Sequence, residues 1–355
     1  MRSLADRPPD APRDPPRLRP RALRTGDLVR IVSPSFPALA LVAHRRPRAE
    51  HALRQLGLRV DYAAHAFHAW GHLAGAPEER ADDINSAFRD EEVAGILCAL
   101  GGSDCLDLVP LLDYAEISRR PKLFIGHSSI ATLMLALLAR SHLITFHGPS
   151  LVNQFGEFPE PLAETVSGFR AACMTSDPLV LRPMTRRTDA LPAWWHEADD
   201  AEQRDRNLPG GWRWLKPGRA AGPFIGGYLP YLLDVVGTPW MPPLDEAILF
   251  TDMMALNALQ VDGMLGELVR RGVLARLAGL VIGVPARFVA HPAMGTLVEV
   301  VAKWAADVSG PILVDADCGH ADPVWTVPMG TWAVLDSATD SLVCEPGTVG
   351  TGAIR

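Results

Sequence analysis

Short β-rich or apolar runs alternate with stretches of helical spacing through the first half of this chain, and that alternation restricts the fold more than any other feature. Residues 27–32 are β-rich and close on Ser33-Pro34-Ser35. Residues 47–57 carry Ala49, Leu53 and Leu56 at helical spacing, Gly57 stops them, and Leu58-Arg59-Val60 follows. Pro77-Glu78-Glu79-Arg80 puts proline and acids at a helix start, and this helix leads through Ile84 and Phe88 to an apolar run at 94–100 that ends on Gly101-Gly102. Residues 122–125 form a fourth short strand, and residues 130–139 are apolar for long enough to be a buried helix. Strands that alternate with helices call for a parallel sheet covered on both faces.

From about 155 to 220 the pattern loosens into a stretch rich in Pro, Trp and charge. Beyond it come a helix at 229–236, a strand at 247–250, a helix near 258–270 and strands at 279–283 and 312–314. A chain of 355 residues exceeds the usual single core, so two domains are expected. The expected fold is α/β: a disordered tail at 1–22, an N-terminal parallel-sheet domain at 23–165, a linker with a Trp-rich insert at 166–220, and a C-terminal α/β domain at 221–355.

The tail alternates Arg, Pro and Asp and lacks the apolar run of a secretory signal. No stretch approaches the roughly 18 apolar residues of a membrane span. Thirty-four basic against forty-one acidic residues leave a net charge of −7, and no strongly basic run follows the tail, which argues against a nucleic-acid partner. Five scattered cysteines without C-x-x-C spacing indicate neither a disulfide framework nor a zinc knuckle, and they fit a reducing cytoplasm.

The sharpest chemical signal is Gly126-His127-Ser128-Ser129, between a buried strand and an apolar helix. A serine on such a bend exposes its hydroxyl while the following amide and the helix start face the same point, which supplies a nucleophile and part of an oxyanion hole. Position 130 is Ile, so the pattern Gly-x-Ser-x-Gly is incomplete, and on local pattern alone Ser128 also reads as a helix cap. Gly101-Gly102 can bring a second backbone N–H to a substrate carbonyl or form an ordinary turn. His320, on a loop after the strand at 312–314, is the candidate base. His65, His68 and His72 have no carboxylate at ligand spacing within their cluster, so neither a metal nor a cofactor is expected. Trp194, Trp195, Trp212 and Trp214 can form an aromatic wall for a ligand or pack between domains.

Taken in order, these segments resemble the LD-carboxypeptidase family of serine peptidases, and within it the microcin C immunity peptidases. The markers are Thr25-Gly26-Asp27, Ser33-Pro34-Ser35, Ala81-Asp82-Asp83-Ile84-Asn85, Gly101-Gly102-Ser103-Asp104, Phe124-Ile125-Gly126-His127-Ser128, His147-Gly148-Pro149, Gly226-Gly227-Tyr228-Leu229, Gly237-Thr238-Pro239 and Gly319-His320-Ala321-Asp322-Pro323. The resemblance implies a site in the cleft between two domains, a homodimer, Ser128 as nucleophile, His320 as base, and the amides of Ser129 and Gly102 as oxyanion donors. It also implies a small peptide or aminoacyl conjugate as substrate.

The chain departs from the family at three positions. Thr251 stands where the family has its catalytic glutamate, with Asp252 next to it; Ser129 replaces an aspartate after the nucleophile; and Tyr228 replaces an asparagine, joining the tryptophans as a substrate-binding candidate. Threonine cannot carry a triad acid's charge. Asp252 is the first candidate to orient His320, with Asp322 or Thr251 through a water as alternatives. Three functions follow: a serine hydrolase acting on an amide, an acyltransferase or cyclase of secondary metabolism using the same Ser and His, and a non-catalytic ligand-binding homologue.

Overall fold

The computed structural model describes residues 17–192, 194, 199 and 201–350. Among these, the chain lays down β1 (Leu28–Val32), β2 (Arg59–Tyr62), β3 (Val93–Cys98), β4 (Leu123–Gly126) and β5 (Thr145–His147). After the helix Ala163–Cys173 come β6 (Leu179–Leu181), β7 (Arg186–Arg187), β8 (Leu208–Pro209), β9 (Arg213–Lys216), β10 (Arg219–Tyr228) and β11 (Ile248–Asp252). The series closes with β12 (Gly279–Gly283), β13 (Ile312–Ala316), β14 (Val327–Met329), β15 (Trp332–Asp336) and β16 (Ser341–Cys344).

Two main sheets result. The first has the order β14-β5-β4-β3-β1-β2, parallel except for β14. The second has the order β6-β16-β15-β10-β11-β12-β13-β9, with β10 to β13 parallel and antiparallel strands at both ends. Strand β10 serves both patterns: residues 219–223 pair antiparallel with β15, and residues 224–228 pair parallel with β11. The α/β class holds, with two sheets carried by the two halves of the chain.

The 166–220 stretch is more than a connector, because it contributes β6 to one edge of the second sheet and β9 to the other. Strand β14 runs the other way, from the C-terminal half into the first sheet beside β5. Residues 17–22, expected within the tail, lie against the body: the Leu18 amide donates to the His142 carbonyl and the Ala22 amide to that of Val349. Residues 1–16 lie outside the described residues.

The helix Ile130–Ser141 explains its unbroken apolar run by lying between the two halves. Ile130, Leu133, Met134 and Leu137 join the first core, while Leu135 and Leu138, three apart on another stripe, join the core formed by Ile225, Leu229 and Leu249. A helix apolar around most of its circumference is a buried one. Among the described residues no helix is long and apolar enough to cross a membrane. All five cysteines are buried free thiols.

Candidate active site

The site is assembled from loops that follow the carboxyl ends of parallel strands, where open α/β sheets bind ligands. Strand β4 ends at Gly126 and the helix begins at Ile130, so the chain reverses over three residues. Ser128 sits at φ 64°, a left-handed conformation that residues bearing a Cβ seldom adopt and that strand-to-helix nucleophile turns exploit. The residue before the helix is Ser129, and it caps nothing with its side chain; its hydroxyl donates to Ser35 Oγ at 3.1 Å. The Gly101 loop lies directly against this turn. A Cβ at Gly101 would fall 2.6 Å from Ser128 Cβ and 3.1 Å from its Oγ, so only glycine fits. Among the described residues neither the Gly102 nor the Ser129 amide donates to a backbone carbonyl, and the Gly102 carbonyl accepts from Tyr231 Oη at 2.8 Å.

The second sheet brings the opposite wall. Side chains of β11 alternate in direction, so Phe250 and Asp252 share one face and Thr251 takes the other. Phe250 meets the edge of His147 at a ring distance of 4.9 Å, and Asp252 Oδ2 accepts from His320 Nδ1 at 2.5 Å. Thr251 Oγ1 is buried without a hydrogen-bond partner, and its backbone lies between Gly227 and Ile282. The carboxylate that reaches His320 is therefore that of Asp252, one residue beyond the position implied by the resemblance. Asp322 is engaged elsewhere, accepting from Gln154 Nε2 at 3.1 Å and Arg204 Nη2 at 2.8 Å. The His320 loop gets this close because its amide donates to the Val284 carbonyl at 3.1 Å, and a Cβ on Gly319 would come within 2.2 Å of that same oxygen.

Electrostatics favour one proton arrangement. Burial pushes the Asp252 carboxyl up, but the His320 imidazole, through its charge and its hydrogen bond, outweighs this and holds it below the ordinary carboxylate range. An ionised carboxylate only accepts, so Nδ1 is the donor in this bond and Nε2 faces away from Asp252. Among the described residues, His320 Nε2 is buried without a hydrogen-bond partner. Its ring lies 5.0 Å from that of Tyr228 and 5.2 Å from that of His127. Burial, with His320 and His147 nearby, depresses His127 to about 3, and burial depresses His147 to about 4. Both are neutral at pH 7.

Ser128 and His320 border one cavity of about 210 Å³, together with Phe36, Leu100, Gly101, Gly102, His127, Asn153, Leu191, Trp194 and Met254. Of the four tryptophans, Trp194 lines it. Trp212 Nε1 donates to Asp317 Oδ2 and Trp214 Nε1 to Asp340 Oδ1, each at 2.8 Å, and neither lines the cavity; Trp195 lies outside the described residues. Tyr228 packs on His320 and donates to the Met254 carbonyl at 3.1 Å without bordering the cavity. Phe36, Asn153 and Met254 were missed from sequence, yet each follows the carboxyl end of a parallel strand, β1, β5 and β11, which is the signal that could have found them. The histidine cluster near residue 70 is split among separate acids: His65 to Asp83 and His72 to Asp104, both at 2.8 Å, and His68 to Glu79 at 3.6 Å.

Comparison with known proteins agrees with this architecture. The LD-carboxypeptidase N-terminal domain model matches residues 29–148, and the C-terminal domain model matches residues 221–335. The Bacillus subtilis (strain 168) protein YocD is 30% identical, covering 87% of this chain and 93% of its own. The Escherichia coli microcin C7 self-immunity protein MccF is 26% identical, covering 88% and 92%. Its apo structure superposes with a TM-score of 0.87 over 92% of this chain and 98% of its own at 24% identity. A MccF-like protein from Bacillus anthracis str. Ames superposes at 0.82 over 92% and 98%, with 28% identity. Fold and relatives define the class as a two-domain α/β protein of the carboxypeptidase type. The chain belongs to the LD-carboxypeptidase family.

Proposed function

We propose that the protein is a serine-dependent hydrolase of an amide bond in a small peptide or aminoacyl conjugate, with Asp252 in the role of the triad acid. The observation that carries this reading is the His320 Nδ1 to Asp252 Oδ2 hydrogen bond at 2.5 Å, on the wall of the cavity that Ser128 also borders. The relatives support amide chemistry, and MccF itself has been solved with aspartyl sulfamoyl adenosine and with glutamyl sulfamoyl guanosine.

In this reading Ser128 Oγ attacks the scissile carbonyl while His320 Nε2 takes the hydroxyl proton, and Asp252 stabilises the imidazolium that forms. The Gly102 and Ser129 amides donate to the oxyanion. His320 then protonates the departing amine as the C–N bond breaks, leaving an acyl-Ser128 ester. Water, deprotonated by His320, releases the acid and restores the serine. The test is labelling with a fluorophosphonate followed by intact-mass analysis. One adduct on the wild type and none on Ser128→Ala is expected; equal adducts on both would remove Ser128 from the mechanism.

A further inference from the structure

The geometry points to a substrate whose acyl portion is a neutral, N-acylated aminoacyl group with an apolar side chain, and which carries no free carboxylate near the scissile bond. The inference deepens the serine-hydrolase reading and rests on it. Phe36, Leu100, Leu191 and Met254 give the cavity apolar walls. Among the described residues no Lys or Arg borders it. The three lysines are occupied elsewhere: Lys122 on the Ala87 and Asp90 carbonyls, Lys216 on that of Val308, and Lys303 on Asp262. Arg204 is neutralised by Glu157 and Asp322. With His127 neutral at pH 7, the fixed charge hydrogen-bonded to the wall is the buried anion Asp252, behind His320. A substrate carboxylate would lose its hydration here and gain no counter-ion.

Among the described residues, two polar atoms on the wall besides His320 Nε2 lack partners. Asn153 is 9% exposed, and its Oδ1 accepts nothing; Trp194 Nε1 is buried and donates to nothing. One acceptor and one donor on a wall that is otherwise apolar outside Ser128, His127 and His320 match the N–H and C=O of a neutral secondary amide, which would satisfy two groups that are costly to leave unpaired. Size agrees. A 150 Å³ apolar cavity holds benzene, so one of about 210 Å³ holds roughly eight heavy atoms, enough for a leucine-sized side chain and the adjoining amide.

The test uses full-length protein and two matched pairs: acetyl-leucine 4-nitroanilide against its succinyl counterpart, and acetyl-leucyl-alaninamide against acetyl-leucyl-alanine. The neutral member of each pair is expected to show a kcat/KM about a hundredfold higher. Met254→Arg, or Leu191→Arg should the first variant fold poorly, is expected to narrow the gap in the first pair at least tenfold by supplying the missing cation. Asn153→Leu is expected to slow the acetyl-leucine anilide about tenfold while sparing 4-nitrophenyl hexanoate, which has no amide to bond. Parity, a preference for the charged members, or no turnover of any neutral member, with Ser128 still labelled by the fluorophosphonate, would overturn the substrate assignment alone. Absence of labelling would overturn the serine mechanism and the assignment with it.

Discussion

Replacing Asp252 by asparagine isolates the charge of the proposed acid while leaving its shape. The side chain is fully buried, one oxygen accepts from His320 Nδ1 at 2.5 Å, and the other has no hydrogen-bond partner. An asparagine oxygen can still accept from Nδ1, so the loss falls on the imidazolium formed when Ser128 gives up its proton. Nothing nearby replaces the lost charge, because His127 and His147 are held neutral and Asp322 is bonded to Arg204 and Gln154. Neutralising a triad acid in serine proteases lowers turnover about 10⁴-fold, so a drop of about 10³ to 10⁴, equivalent to about 4–5.5 kcal/mol of activation free energy, is expected. The assay is the second-order rate of Ser128 labelling by a fluorophosphonate, which needs the same base and no knowledge of the substrate. Thr251→Val is the paired control and is expected to stay within threefold of wild type, since Thr251 Oγ1 has no partner to lose. A folded Asp252→Asn protein labelled within tenfold of wild type, or a thousandfold loss in Thr251→Val, would refute the assignment.

Three further predictions follow from the geometry. His127 and His147, depressed to about 3 and about 4 from an unfolded value near 6.5, bind protons in the unfolded chain before the folded one; their contribution is complete above pH 6.5 and is lost as pH falls toward 4. The urea midpoint should therefore fall through this window, with a slope of about 1.4 kcal/mol per pH unit for each histidine, and His147→Phe should flatten it; a slope unchanged by that substitution would contradict the burial argument. Gly101→Ala puts a Cβ 2.6 Å from that of Ser128 and should cost about 1–3 kcal/mol of stability or at least a hundredfold in labelling rate; a variant matching wild type in both would mean the loop is not pressed against the turn. Arg204→Met strips Glu157 and Asp322 of a shared partner at 2.7 and 2.8 Å and should destabilise by about 3–5 kcal/mol in urea unfolding, whereas a loss below 1 kcal/mol would show the cluster to be well solvated.

The alternating elements were legible because their periods are local. The helix Ala258–Arg270 and strand Gly279–Gly283 fall where spacing and glycine punctuation put them, as does the bend carrying Ser128. What escaped depends on partners far along the chain. Strand β5 is three residues long and β14 is another three; β14 is a strand only because β5, some 180 residues earlier, lies beside it, and β5 is held between β14 and β4. Strands β6 and β9 are held at sheet edges by β16 and β13, so nothing within residues 166–220 announced them. The tryptophans were ambiguous for a related reason, since an indole that caps an acid on a packed surface has the same local signature as one that walls a ligand. Trp212 on Asp317 and Trp194 beside Ser128 separate only in three dimensions.

The acid is the instructive case, because its position turns on parity rather than residue type. A glutamate and an aspartate at neighbouring strand positions look interchangeable in a sequence, yet adjacent side chains leave opposite faces of the sheet. Position 252 shares its face with Phe250, whose ring meets His147, and so it faces the first sheet and the His320 loop. Position 251 shares its direction with Leu249, in the core of the second half. A carboxylate at 252 has the direct approach, and the shorter aspartate suffices because the loop is drawn in: a Cβ at Gly283 would lie 2.8 Å from the Gly319 Cα and 3.0 Å from the Asp252 Cβ. Placing a glutamate at 251 without changing 252 would therefore bury a second, unpaired carboxylate in the apolar core beside Leu249 while Asp252 still holds the imidazole, so the residue that the resemblance implies at 251 should cost this protein stability rather than add activity.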